Sequence, residues 1–506
     1  MTTRFAHPLL TLMLGGCIMP PSDAGETLGT EGSTTDDGAT SSVPADSGSS
    51  ATDSNPMDSS GSADSGTGKP QDCTPGLIQT GCTNQLDIVI VVDNSAGMAD
   101  AQRELGRSMP RLVDQLTDLT ERSGLYPLDL DVQVMVTTTD LSSALCEAFE
   151  PEGYSPAMGS PIATPCTERL DDFTGLNPSQ PVVVPETCTA ICPSGVAPTE
   201  DFVAFGPTGT NVPDVPGVDI DGDGVSDPPV AQALACLVPQ GINGCGYESP
   251  LEAMLQAINP EAPWNMGPRP FLRDDAALAI MLVSDEPDCS IWNQEILANP
   301  LYQNINPETA APQASSAACW NMGVECEDLD NDGIYESCES AQNYGMHPTS
   351  RYIQYLDYLR DDLGKDVFMM EVTGVPPVIA HNPEAPFLPI SGGVHDLLYR
   401  DWVDLPYPSG DIDPQEWAQG IRASNKQFEL GIGPGCTVED DQGAFQQATP
   451  PVRMLEVCDS LNFGDPEFGS RCCVESVCDH RLSTSYACLT GMLMPPGEPL
   501  GPFPSG

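Results

Sequence analysis

From residue 85 onward the apolar positions follow two alternating rhythms. Leu86-Asp87-Ile88-Val89-Ile90-Val91-Val92 is an almost unbroken β-branched run, the pattern of a strand covered on both faces. Met98, Leu105, Met109, Leu112, Leu116 and Leu119 then recur at helical spacing and predict one apolar stripe, which Pro110 is expected to kink or divide. Leu128 to Val136 alternates enough to predict an edge or half-exposed strand, and Ala276 to Val283 a second buried one. Tyr352, Tyr355, Leu356, Leu359 and Leu363 form another helical stripe, and Val367 to Val372 follows as a strand after Gly364. Strands alternating with helices predict an α/β fold with a mostly parallel, doubly wound sheet.

Three stretches break this rhythm, near 140–244, 286–346 and 374–454, and they carry most of the Pro, Gly and Cys. Ordinary α/β connections run about 2 to 6 residues, so these read as disulfide-rich insertions in a folded region spanning 73–506. Residues 17–72 differ again: almost wholly Ser, Thr, Gly, Asp, Ala and Pro, without an aromatic side chain to nucleate burial. They predict a disordered tether spanning roughly 40 Å on average.

The first residues add an address. Arg4, the apolar stretch Pro8 to Leu14, and Gly15-Gly16 before Cys17 have the layout of an export signal, too short to span a bilayer. Leu14-Gly15-Gly16-Cys17 resembles a bacterial lipoprotein box, which implies that 1–16 are removed and that Cys17 is diacylated; the competing reading is an ordinary secretory peptide with an incidental cysteine. Ile18 is not the aspartate associated with inner-membrane retention, so the outer membrane or cell surface is expected. Setting Cys17 aside leaves 18 of the 19 cysteines, an even set suited to disulfides in an oxidising compartment. Cys236 with Cys245, flanking a short loop, is the expected local disulfide, and Cys73 with Cys82 a second. Zinc is the competing use, but Cys472, Cys473 and Cys478 lack the paired spacing of a zinc site.

Charge narrows the partners. The chain carries 74 acidic against 18 basic residues, and from Cys73 onward the balance is still 64 to 16. Such a surface repels polyphosphate, so nucleic acid is excluded as a partner, while hard cations are favoured.

Two segments have calcium-loop grammar. Asp219, Asp221, Asp223, Val225 and Asp227 fit the alternate-ligand spacing, with Gly224 for the turn, and Asp328, Asp330, Asp332, Ile334, Glu336 and Glu339 complete the full pattern through its twelfth position. Convincing flanking helices are lacking and Cys326 and Cys338 bracket the second copy, which reads as a stapled Ca2+ loop; an acidic surface turn is the alternative for each.

The buried strand ending in Asp93-Asn94-Ser95-Ala96-Gly97-Met98 resembles the start of a von Willebrand factor type A domain, of the insert-rich bacterial lipoprotein kind. That resemblance implies a DxSxS loop at the carboxyl edge of the sheet that helps hold Mg2+ or another divalent cation. Asp93 and Ser95 match, whereas Gly97 stands where the second serine would be. Asp285, after Ala276 to Val283, resembles the family's later metal-site aspartate; Ser249, or Glu248 beside it, stands where a threonine is usual. The competing use of Asp93 and Ser95 is as helix caps.

GxSxG, HExxH and a Gly-rich phosphate loop are missing from the sequence, and the histidines His347, His381, His395 and His480 sit among loops or helix ends. The expectation is therefore not an enzyme but a lipid-anchored envelope module. It would bind an unknown protein ligand at the cell surface, with an acidic partner group able to complete the metal's coordination. A calcium-stabilised structural protein is the alternative, and an enzyme built into the insertions a third.

Overall fold

The structure is a computed structural model that describes residues 83–494, except 123–128, 144–145, 147–152, 176–181, 193–194, 343–344, 404–421, 440–444, 463–469 and 480–481. The expected signal peptide, Cys17, the tether and the Cys73–Cys82 pair lie outside the described residues.

The β-branched run forms β1 (Gln85–Val92), followed by α1 (Ala99–Arg122) and β2 (Asp131–Thr138). Two short strands, β3 (Val203–Gly206) and β4 (Gly209–Thr210), precede α2 (Pro229–Leu237) and α3 (Pro250–Ala257). Then come β5 (Ala277–Val283), α4 (Thr349–Asp357), β6 (Val367–Thr373), α5 (Val452–Ser460), β7 (Cys472–Ser476) and α6 (Leu482–Met492). The strands form one seven-stranded sheet in the order β7-β6-β5-β1-β2-β3-β4, parallel except for β3 and β4.

Alternation along β1 explains the two layers of helices. Leu86, Ile88 and Ile90 pack with Leu105 and Met109 of α1, Leu234 of α2 and Leu489 of α6. Val89 and Val91 face the other way, against Met254 of α3, Leu356 of α4 and Val457 of α5. Each fully buried side chain of this size contributes about 1.5–3 kcal/mol, so a strand covered on both faces has no room for polar alternation.

The same packing corrects three expectations. The α1 helix runs unbroken through Pro110, because Leu105, Met109, Leu112 and Leu116 anchor it on the sheet from both sides of the proline. The second strand is not at the edge and is half-exposed only over its first residues: β3 pairs antiparallel with it, and the 140–244 stretch supplies β3 and the edge strand β4 as well as α2. Cys236 and Cys245 are not joined to one another. Cys236 lies in α2 and bonds Cys192, while Cys245 lies at the sheet edge and bonds Cys146. Each is buried in a different cluster, one around Phe173 and the other around Tyr247 and Met322, so nearness in sequence did not set the pairing.

Eight disulfides are formed among the described residues, and they bind the insertions: Cys166–Cys188, Cys289–Cys319 and Cys326–Cys338 within them, and Cys436–Cys478, Cys458–Cys472 and Cys473–Cys488 around β7, beside the two already named. The Cys472, Cys473 and Cys478 cluster is thus made of three disulfide partners and not of zinc ligands. No described helix is long and apolar enough to cross a membrane.

Charge is divided between the two ends of the sheet. At the amino end Arg273 pairs with Asp87 at 2.8 Å and Asp131 at 3.2 Å, and Arg471 pairs with Asp366 at 2.8 Å. Burial still pushes Asp87 up to about 6 against the pull of Arg273. At the carboxyl end Arg453 pairs with Asp288 at 2.9 Å, but among the described residues Asp93, Asp140, Glu248, Asp285 and Glu286 form no such pair.

Candidate functional site

The chain leaves β1 for β2 on one side and returns to place β5 on the other, so the strand order reverses between β1 and β5. Crevices at such a switch point, outside the carboxyl ends of the strands, are the usual ligand sites of open α/β sheets. Here β1 delivers Asp93 and Ser95, and β5 delivers Ser284, Asp285 and Glu286.

Asp93 is fully buried and held from both sides: the Ser95 backbone N–H donates to its Oδ1 at 2.7 Å and the Ser284 hydroxyl to its Oδ2 at 2.5 Å. The Ser95 hydroxyl donates to Asp285 Oδ1 at 3.5 Å. The structure therefore brings Asp93, Ser95 and Asp285 together. It gives Ser95 no side-chain capping bond to the helical turn that follows. A β-carbon at Gly97 would collide with Oδ2 of Asp285, so the acid occupies the space that a serine there would need.

Glu248 and Ser249 have separate roles. The Ser249 hydroxyl donates to the Cys289 carbonyl at 2.8 Å. Glu248 is fully buried, accepts from the Thr139 hydroxyl through Oε2, and leaves Oε1 without a hydrogen-bond partner. Of the two candidates for the missing hydroxyl, the glutamate has the unused oxygen.

Sequence reasoning passed over four further groups here. Thr139 and Asp140 follow β2 in a Thr-Thr-Thr-Asp run that marks the strand's carboxyl end, and Ser284 and Glu286 flank Asp285. Tyr154 and the Cys245 backbone N–H donate to Asp140 Oδ2, and the Ser142 N–H to Oδ1 at 2.9 Å. Among the described residues no lysine or arginine forms a salt bridge with Asp93, Asp140, Glu248, Asp285 or Glu286.

Five carboxyls without a cation resist ionisation. Burial raises all of them. The charge of Asp93 adds to the effect on Glu248, Asp285 and Glu286, and Asp140 adds to it on Glu248 and Asp93. A bound cation reverses the sign of this electrostatics.

The two aspartate loops lie elsewhere. In the first, Asp219, Asp221 and Asp227 bring carboxylate oxygens together, and Asp223 instead accepts the Val225 N–H at 2.6 Å. Gly222 and Gly224 both have positive φ, which frees their N–H groups to donate to Asp219. Burial and the charges of Asp221 and Asp223 push Asp227 up to about 6. Asp114 of α1 is close enough to feel the same two acids.

In the second loop Asp328, Asp330 and Asp332 converge, Ile334 donates its N–H to Asp332, and Glu336 accepts the Leu329 N–H at 3.0 Å. Glu339 is not in that group. It sits in the strand Ser337–Ser340, paired with Glu325 of Val324–Glu327, because the Cys326–Cys338 disulfide continues the loop as a hairpin rather than a helix. Tyr335 donates to Asp401 at 2.7 Å and thereby ties this loop to the 374–454 insertion.

Compared with models of known families, with characterised proteins and with solved structures, the chain matches none.

Proposed function

We propose that the protein is an exported, lipid-anchored cell-envelope module related to von Willebrand factor type A domains, which holds a divalent cation at the switch point of its sheet and binds a protein ligand there. The observation that carries this reading is the meeting of Asp93, Ser95 and Asp285 around a buried cluster without basic partners, with one oxygen of Glu248 left unpaired. An all-oxygen set of this kind suits Ca2+ or Mg2+. Asp93, Asp285 and Glu248 would hold the ion, Ser95 would add its hydroxyl, and the ion would supply fixed positive charge at an otherwise acidic edge. The aspartate loops are read as Ca2+ sites that stiffen the insertions around that edge. Cys17 would provide the membrane attachment through its acyl chains.

A second reading is favoured by Glu248. An extra carboxylate raises affinity for the cation while lowering its appetite for an acidic group from a partner, which suits a calcium-stabilised structural protein. Envelope proteins retained on the immobilised protein in Ca2+ or Mg2+, released by EDTA and not retained by folded Asp285→Ala, support the interaction reading. Equal retention by Asp285→Ala contradicts it.

A further inference from the structure

Beside these carboxylates, towards the ends of β2 and α3, the structure contains a cavity of about 300 Å³. Its walls are about half apolar, with Leu141, Met158, Tyr247, Ile291 and Leu297 on that part, and half polar, with Ser142, Ser143, Ser249 and Gln256 beside the acids. Among the described residues its charged groups are both acids, Asp140 and Glu252, and no lysine, arginine or histidine lines it. The two acids are not equivalent. Arg351 donates to both oxygens of Glu252, at 2.9 and 3.1 Å. Among the described residues Asp140, itself almost fully buried, accepts from two backbone N–H groups and the Tyr154 hydroxyl, and the carboxyls of Asp93 and Glu248 stand close to it.

These features select a ligand. An anion is repelled. A neutral apolar group strips water from Asp140 and returns no charge, and a bare cation leaves the apolar walls wet. An ammonium carried on an alkyl chain satisfies both, since its stem covers apolar surface while its head meets the acid. A divalent ion held by Asp93, Asp285 and Glu248 would bring two positive charges to a cluster of five carboxyls and would leave Asp140 outside its ligand set. We propose that this cavity receives a lysine side chain of a partner protein, with its stem along Leu141, Ile291 and Leu297 and its ammonium at Asp140. The assignment to a protein rests on reading the sheet edge as an interaction site; the chemistry of the cavity does not require the metal. It replaces the acidic partner group that the family resemblance implies with a basic one.

The test measures fluorescence anisotropy of labelled Gly-Gly-Lys-Gly-Gly, with norleucine and glutamate in place of lysine as controls, against the full mature protein in Ca2+ and in EDTA. The lysine peptide is expected to bind about tenfold tighter or more than either control, as a charge-assisted contact allows. Gln256→Lys, which places an ammonium beside Glu252 within the cavity lining, is expected to remove that preference with the fold unchanged by circular dichroism. Met158→Trp, at the half-exposed rim, serves the same purpose if Gln256→Lys does not fold. The proposal is overturned if lysine and norleucine peptides bind alike, if the glutamate peptide binds best, or if a folded cavity variant keeps the preference. Cadaverine competing as well as the lysine peptide overturns the assignment to a protein. The EDTA arm reads the cavity independently of the cation: lysine binding that survives there while no metal effect appears would refute the metal reading alone.

Discussion

The carboxylate of Asp285 fills the space that a β-carbon at Gly97 would take, so the residue that departs from the DxSxS pattern and the acid that closes the site fit each other. Gly97→Ser restores the pattern's hydroxyl yet forces Asp285 aside. We expect a loss of about 1–3 kcal/mol in stability, as for other overpacked substitutions, visible as a lowered melting temperature. A melting temperature equal to that of the wild type would mean that Asp285 does not lie against Gly97.

Glu371 lies in β6, fully buried on the apolar face shared with α5, and neither of its carboxylate oxygens has a hydrogen-bond partner. Burial, with the charge of Asp459 added, holds its carboxyl well above the usual range. A carboxyl raised on folding stabilises most below its unfolded value, and that stability is lost as pH rises through the folded value. Glu371→Met is therefore expected to stabilise the protein near neutral pH by about 1–3 kcal/mol, the measured cost of an uncompensated buried polar group, with the gain shrinking in acid. Thermal unfolding at pH 5 and pH 8 checks it; a variant less stable at both would refute it.

His381 has the opposite chemistry. Its Nε2 lies 2.6 Å from Glu475 Oε1 at β7, and that hydrogen bond raises its pKa above the ordinary value of 6.5. The histidine's contribution is complete below its unfolded pKa and is lost as pH rises through the folded one. His381→Ala should cost about 1.5–3 kcal/mol at pH 5.5, the range for bonds to charged groups, and much less at pH 9. Denaturant melts at those two values decide it, and a cost independent of pH contradicts the pairing.

Much of the core was legible because burial on both faces leaves a long unbroken mark: Leu86 to Val92 and Ala277 to Val283 fall almost where the sequence puts them. The aspartates that converge at the carboxyl edge were legible for the same reason, since each directly follows such a run. Thr139 and Asp140 were not, because β2 was placed too early and the insertion behind it hides the strand's end. Strands of four and two residues, Val203–Gly206 and Gly209–Thr210, are too short for any period to register. The disulfides escaped for a different reason: spacing cannot tell which way Cys236 and Cys245 face once the chain turns at Gly241, whose φ is +102°. Peptide mapping under non-reducing conditions should recover Cys192–Cys236 and Cys146–Cys245.

The aspartate loops make a separate prediction. Ca2+ should raise the melting temperature by mass action, with about 2.7 kcal/mol of protection at one hundred times the dissociation constant. Asp221→Ala and Asp330→Ala should each remove part of that rise. Glu339→Ala, at the exposed strand position, should remove little of it. Equal melting curves in EDTA and Ca2+ would defeat the assignment of both loops.

The sheet-edge cation is tested most directly by calorimetric titration of Ca2+ and Mg2+ into the EDTA-treated Asp221→Ala/Asp330→Ala protein, in which both loops are disabled, with and without Asp285→Ala. The account predicts one remaining divalent site in the double variant, and its loss, with the fold retained, when Asp285 is removed. A remaining site that survives Asp285→Ala with unchanged affinity, or a double variant that binds no cation at all, would contradict it.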